Sequence, residues 1–189
     1  MLDRPQVKSE MALAEGRFLR FKMLRWTDAK GVDRLWETVD RLGGRRAVVI
    51  VPRLVPSGRL ILIRQFRPPA RGVVVEFPAG LIDGDESPAA AARRELAEET
   101  GYIANRLGGG LPAFSSPGMS DETIHFFRAD IDETAPENQN PKTNFDSGEM
   151  IETLFVPTTD LMAFCESEHA KGVLLDAKIL SVAAAFSLL

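Results

Sequence analysis

The chain has 189 residues, 44% hydrophobic and 26% charged, which suits one globular domain with a sizeable core and excludes a wholly disordered chain. A net charge of -4 excludes a general nucleic-acid binder, because neutralising phosphates takes a basic surface. Cys165 is the single cysteine, so an intramolecular disulfide framework and a thiolate metal cluster are excluded too, and a reducing compartment is the simplest setting.

MLDRPQVKSE shows no long apolar stretch behind a basic end, so no secretory signal is visible at the start. Residues 17 to 25 and 33 to 41 read as strands joined by TDAKG, whose Asp28 and Gly31 are turn-formers, giving a hairpin that leads past Gly43 and Gly44 into the main domain. AVVIVPRLV and RLILIRQF, separated by Pro56, Ser57 and Gly58, are β-branched apolar runs suited to paired strands of a buried sheet, and VVVEFPAG continues it. Ser87 followed by Pro88 and the alanines 89 to 92 predict a helix over 88 to 100, with a hydroxyl N-cap, proline in the first turn and strong helix formers behind it. Gly101 marks its end.

The Gly108 to Gly110 run reads as a turn. TIHFFRAD and MIETLFVP follow as strands, and the polar DETAPENQNPKTNFDSGE between them reads as a long exposed loop of the kind that carries function. Helices around 158 to 168 and 174 to 188 close the chain. Its last apolar run is broken by Asp176 and Lys178 and falls short of the roughly 20 residues that a membrane span needs, so a cytoplasmic protein away from membranes is expected. His125 reads as a packed histidine and Cys165 as a small apolar residue.

The predicted helix ends in RRELAEETGY, which places Glu95, Glu98 and Glu99 on one side of its last turns. Neighbours three and four apart repel by a few tenths of a kcal/mol, and acids near a helix C-terminus oppose the macrodipole by roughly 0.3 to 1 kcal/mol each. Something positive belongs among them. Two readings of the residues remain open: a solvated acidic patch paired with Arg93 and Arg94, or a chelating face for a hard divalent cation, Mg2+ or Mn2+ rather than zinc because every donor is oxygen.

Spacing extends the pattern. From Gly80 the chain runs through Glu86 to Arg94, Glu95, Leu96, Ala97, Glu98, Glu99, Thr100, Gly101 and Tyr102, and this resembles the Nudix hydrolase signature, Tyr102 being the one departure from the usual aliphatic residue. The resemblance implies an α/β/α sandwich with a mixed sheet and metal-dependent hydrolysis of a nucleoside diphosphate linked to another group. It implies that Glu95, Glu98 and Glu99, with the backbone carbonyl of Ala79, are metal ligands. Gly80, Glu86, Arg94 and Gly101 then brace the motif, an arginine being able to clamp a carboxylate bidentately.

Pro117 and Gly118 within SSPGMSDE, with IRQFRPP, VEFPAGLID and LLDAK, are similar to the ADP-ribose and ADP-sugar pyrophosphatase branch. That likeness implies residues 1 to 44 as a dimerising, adenine-binding hairpin region ahead of a Nudix domain over 45 to 189. It implies a homodimer with exchanged strands in which Phe18 and Trp36 sandwich the adenine. Phe18 departs from the usual tryptophan. Glu37 matches a position near the base, Arg41 and Arg67 match positions near phosphate or ribose, and Glu76 would face the metal site. Glu149 is the expected catalytic base beside Glu99, with Asp146 and Glu122 as rivals. ADP-ribose cleavage to AMP and ribose 5-phosphate is the expected reaction; a broader nucleoside diphosphate sugar hydrolase, acting for example on GDP-mannose, and a non-catalytic ADP-ribose sensor are the alternatives.

Overall fold

A computed structural model describes residues 4–44, 46–145 and 148–187. The chain divides into two compact units, the described residues of Met1–Ala47 with Pro112–Ile124, and those of Val48–Leu111 with His125–Leu189.

In the first unit, β1 (Gln6–Glu15), β2 (Leu19–Thr27) and β3 (Asp33–Arg41) form a three-stranded antiparallel sheet in that order. The β2 and β3 hairpin follows the sequence pattern, and its turn is held by Asp28, whose carboxylate accepts from the backbone N–H groups of Lys30 and Val32 at 2.9 and 3.0 Å. β1 was not legible in the sequence. Its ten residues are all exposed, so no in/out alternation marks it.

The second unit is built on an eight-stranded mixed sheet. Its strands are β4 (Ala47–Val55), β5 (Arg59–Arg67), β6 (Gly72–Glu76), β7 (Ala79–Leu81), β8 (Arg106–Phe114), β9 (Thr123–Asp132), β10 (Ile151–Pro157) and β11 (Leu174–Leu175). The order is β11-β6-β5-β4-β9-β8, with β10 paired to β5 and β7 to β4. Leu60, Ile61, Leu62 and Ile63 are each almost wholly buried, so β5 is covered on both faces. On one face Ile61 joins Val48, Ile50 and Phe127 against Ala91, Ala92 and Leu96 of α1 (Pro88–Thr100). On the other, Arg64 reaches Glu168 of α2 (Leu161–Ala170), which packs with α3 (Ala177–Ser187). Helices on both faces of a mixed sheet are the sandwich that the resemblance implied. Truncating a fully buried residue such as Ile61 to alanine costs about 2 to 5 kcal/mol.

α1 forms as its residues dictate. The Ser87 hydroxyl accepts from Ala90 N–H, Pro88 occupies the first turn, and Gly101 closes the helix in the left-handed region at φ 75°, donating to the Ala97 carbonyl at 2.8 Å. A β-carbon on Gly101 would also meet the Lys142 backbone nitrogen at 2.4 Å.

Three expectations need correction. Gly108 to Gly110 are not a turn but lie inside β8, because the neighbouring strand passes too close for side chains: a β-carbon would sit 2.8 Å from the Phe126 carbonyl at Gly109 and 2.6 Å from the Phe127 ring at Gly110. The final helix begins at Ala177, not 174, since Leu174 and Leu175 instead pair in parallel with Val74 and Val75. The loop before β10 is not exposed throughout: Asn138 is buried, and its amide bonds Ile103 and Asp132. No helix among the described residues is long and apolar enough to cross a membrane.

Candidate active site

β7 and α1 carry the acid cluster. Glu99 is 3% exposed, and one carboxylate oxygen accepts the Ala79 N–H at 3.0 Å. Burial pushes its carboxyl up to about 9, the Ala79 N–H working against this and the nearby Glu95 and Glu149 charges adding to it. Burial likewise raises the pKa of Glu95. Buried carboxyls driven toward neutrality on a helix face are groups that a cation would return to the charged form.

Arg94 is the positive group that the sequence demanded. Its Nη1 donates to Glu95 at 2.8 Å and to Glu98 at 2.9 Å, while Nη2 donates to Glu86 at 2.7 Å and to the Leu81 carbonyl at 2.9 Å. Glu86 also accepts the Asp83 N–H, and the Arg94 guanidinium holds the Glu86 carboxyl below its ordinary range. One guanidinium thus ties the β7 loop to α1. Among the described residues no three His, Cys, Asp or Glu side chains stand together as a ready metal cage.

The residues nonetheless fit a hard divalent ion. Every side-chain donor is a carboxylate oxygen, and Gly80 leaves room that a larger residue would deny: a β-carbon there would lie 2.0 Å from the Glu95 carboxylate.

β5 and β6 add a second pair. Glu76, buried, receives Arg67 in bidentate form, Nε to Oε1 at 2.7 Å and Nη2 to Oε2 at 3.0 Å, so the cation that offsets its burial is a side chain. The Arg67 charge acts on Glu99 and Glu149, which brings Glu149 into the same electrostatic neighbourhood. Asp146, a rival base, lies outside the described residues.

The other expected residues lie in the first unit. Glu122, the second rival base, accepts from Arg41 Nε and Ser115 Oγ. Trp36 Nε1 donates to the Gly118 carbonyl at 3.1 Å, and Trp36 and Pro117 line a groove of about 260 Å3 with Trp26, whose ring meets Trp36 edge-on at 6.5 Å. Glu37 is exposed on β3, opposite Met23. Phe18 is 67% exposed, with the Arg17 guanidinium 5.2 Å from its ring centre. The Phe18 carbonyl accepts from Leu42 N–H, six positions beyond Trp36, so the two aromatics stand about 20 Å apart along the hairpin at ~3.4 Å per residue. One chain cannot close both around one base.

Residues 44–177 match the NUDIX domain family model. The chain belongs to the Nudix family. Relatives refine the placement of this Nudix hydrolase. The ADP-sugar pyrophosphatase of Mus musculus is 36% identical over 182 residues, 92% of this chain and 83% of that protein. The ADP-ribose pyrophosphatase of Saccharomyces cerevisiae is 32% identical over 175 residues, 88% of this chain and 76% of that protein. A crystal structure of an ADP compounds hydrolase superposes with a TM-score of 0.71 at 28% identity, covering 88% of this chain and 85% of its own.

His125 is a packed histidine in this fold, its Nδ1 lying 2.9 Å from the Gly110 carbonyl oxygen. One buried polar residue that lines a cavity with Glu149 escaped the sequence reading. Gln65 is buried in β5, and the signal for it was a neutral polar residue inside the apolar run LILIRQF.

Proposed function

We propose that this Nudix hydrolase cleaves the pyrophosphate bond of ADP-ribose and related ADP-sugars, giving AMP and the sugar phosphate. The observation that carries this is the carboxylate face of α1, with buried Glu99 anchored to Ala79 N–H, in a chain that has relatives named for ADP-ribose and ADP-sugars at 32 to 36% identity, beside others named for GDP-mannose at 32 to 33%.

Glu95, Glu98 and Glu99, with the Ala79 carbonyl, would hold Mg2+ or Mn2+. Such ions neutralise diphosphate charge and acidify a bound water. Opening that face requires the Arg94 guanidinium to release Glu95 and Glu98 while keeping Glu86 and the Leu81 carbonyl. Glu149 takes the proton from the attacking water as its oxygen bonds to phosphorus; the P–O bond of the diphosphate bridge breaks, and the leaving phosphate departs with the electron pair. Arg67 supplies positive charge beside the diphosphate, and Glu76 holds its fork in place.

Adenine stacks between Phe18 of one protomer and Trp36 of its partner in a homodimer, because the hairpin holds the two rings too far apart within one chain. Arg41 and Glu37 approach the ribose, phosphates and base, and Pro117 and Gly118 shape the wall beside Trp36. We assign residues 1 to 44 to dimerisation and base binding, residues 45 to 189 to catalysis, and the protein to the cytoplasm.

The test incubates the purified protein with Mg2+ and equimolar ADP-ribose, ADP-glucose, GDP-mannose and UDP-glucose, following products by mass spectrometry. Early loss of ADP-ribose with AMP appearing is expected, and chelation should stop it. GDP-mannose disappearing first would replace the reading with a broader sugar nucleotide hydrolase, and tight ADP-ribose binding without cleavage would replace it with a sensor.

A further inference from the structure

Gln65 is 7% exposed, and its Nε2 has no hydrogen-bond partner among the described residues. Buried donors are almost always satisfied, because leaving one unpaired forfeits its hydration without return. Its position on β5 gives the orphan a meaning. Alternation puts Ile63, Gln65 and Arg67 on one face, and the antiparallel register sets Glu76 opposite Ile63 and Val74 opposite Gln65. The Arg67–Glu76 ion pair therefore brackets Gln65 on that face. On its other edge Gln65 faces Ile151 of β10, two residues beyond Glu149, and Gln65, Glu149, Phe145 and Ile151 share the walls of a cavity of about 590 Å3.

Arginine donors flank Gln65, Arg64 on the wall of the same cavity and Arg67 on the same face of β5. Both Glu76 oxygens already receive Arg67. A ligand that suits both an arginine and an unpaired amide N–H is an anionic oxygen. We propose that Gln65 is a diphosphate-binding residue, its Nε2 donating to a phosphate oxygen of the substrate beside Arg67. The proposal rests on the hydrolase reading above. It also explains why an unpaired donor persists in the core: its partner arrives with the substrate, and the fold carries the strain until then.

The experiment compares wild type with Gln65→Met, which keeps length and burial but removes the N–H, and Gln65→Glu, which keeps shape but removes the donor and adds negative charge. The ligand-free Met variant should melt at the same temperature or higher, because it no longer buries an unpaired amide. Its kcat/KM for ADP-ribose should fall about ten- to hundredfold, the usual range for a hydrogen bond to a charged group, and the Glu variant should fall further.

Calorimetric binding of inorganic pyrophosphate in Mg2+ buffer should weaken by a similar factor, while adenosine binding stays within twofold. A Met variant that melts several degrees lower would assign the amide an internal partner and overturn the proposal. Unchanged pyrophosphate affinity, or equal weakening of adenosine, would overturn it as well. These binding comparisons do not depend on turnover, so a wild type that leaves ADP-ribose intact would sink the substrate reading while the Gln65 result still stands or falls by itself.

Discussion

Gly80 and Glu95 are in such close approach that no side chain fits between them, a β-carbon at position 80 lying 2.0 Å from the Glu95 carboxylate. The atom in the way is the far end of a flexible side chain, so Gly80→Ala should fold and melt within a few degrees of wild type by displacing that carboxylate. Under the proposed function that carboxylate would hold the ion. We expect at least tenfold weaker Mg2+ affinity by calorimetry and a comparable drop in kcat; unchanged affinity would show that Glu95 is not a ligand.

Glu149 stands near enough to Glu95 and Glu99 to raise both carboxyls, which suits a base acting on a water held at that face. Glu149→Gln should keep KM for ADP-ribose and lower kcat about a hundredfold or more, within the range for general bases. Steady-state kinetics decides, and near-normal turnover would move the role to another residue, such as Asp146 or Glu122.

Phe18 and Trp36 lend themselves to a complementation test. Stacking is worth roughly 1 to 3 kcal/mol per base, so Phe18→Ala or Trp36→Ala alone should raise KM for ADP-ribose between five- and hundredfold. Phe18 is largely exposed, so its variant should melt close to wild type, whereas Trp36→Ala gives up the bond to Gly118 and the contact with Trp26 and should melt lower. Mixing the two variants should regenerate one intact site per heterodimer and restore up to half of the wild-type activity of that species. No recovery after subunit exchange would argue that the rings do not come from different chains.

Glu168 sets an acid limit on stability. Its buried carboxylate accepts from Lys171 Nζ at 2.7 Å and from Arg64, and the Lys171 bond above all holds its pKa below the ordinary value of 4.5. A lowered folded pKa means that the unfolded chain binds the proton first as pH falls. The stabilisation is therefore complete above about 4.5 and is lost as pH drops through the folded value. Glu168→Gln should lose about 2 kcal/mol at pH 7, the scale of hydrogen bonds to charged groups, and the gap to wild type should close toward pH 3. Urea midpoints at the two pH values measure it.

Sequence by itself determined the parts whose causes are local. Ser87, Pro88 and Gly101 cap and stop α1 through contacts within a few residues, Asp28 closes the β2–β3 turn in the same way, and the signature spacing from Gly80 to Tyr102 identified the family because it lies on one continuous stretch. Tertiary structure alone decided what depends on partners distant in the chain. Gly109 and Gly110 look like a turn until β9 is seen passing against them, Leu174 and Leu175 look helical until β6 offers them a ladder, and the burial of Gln65 between Val74 and Ile151 exists only once β5, β6 and β10 are in register. The physical reason is that caps, turns and helix propensity are short-range free energies, whereas close approach, strand pairing and desolvation depend on which distant segment arrives, and local periodicity does not encode that.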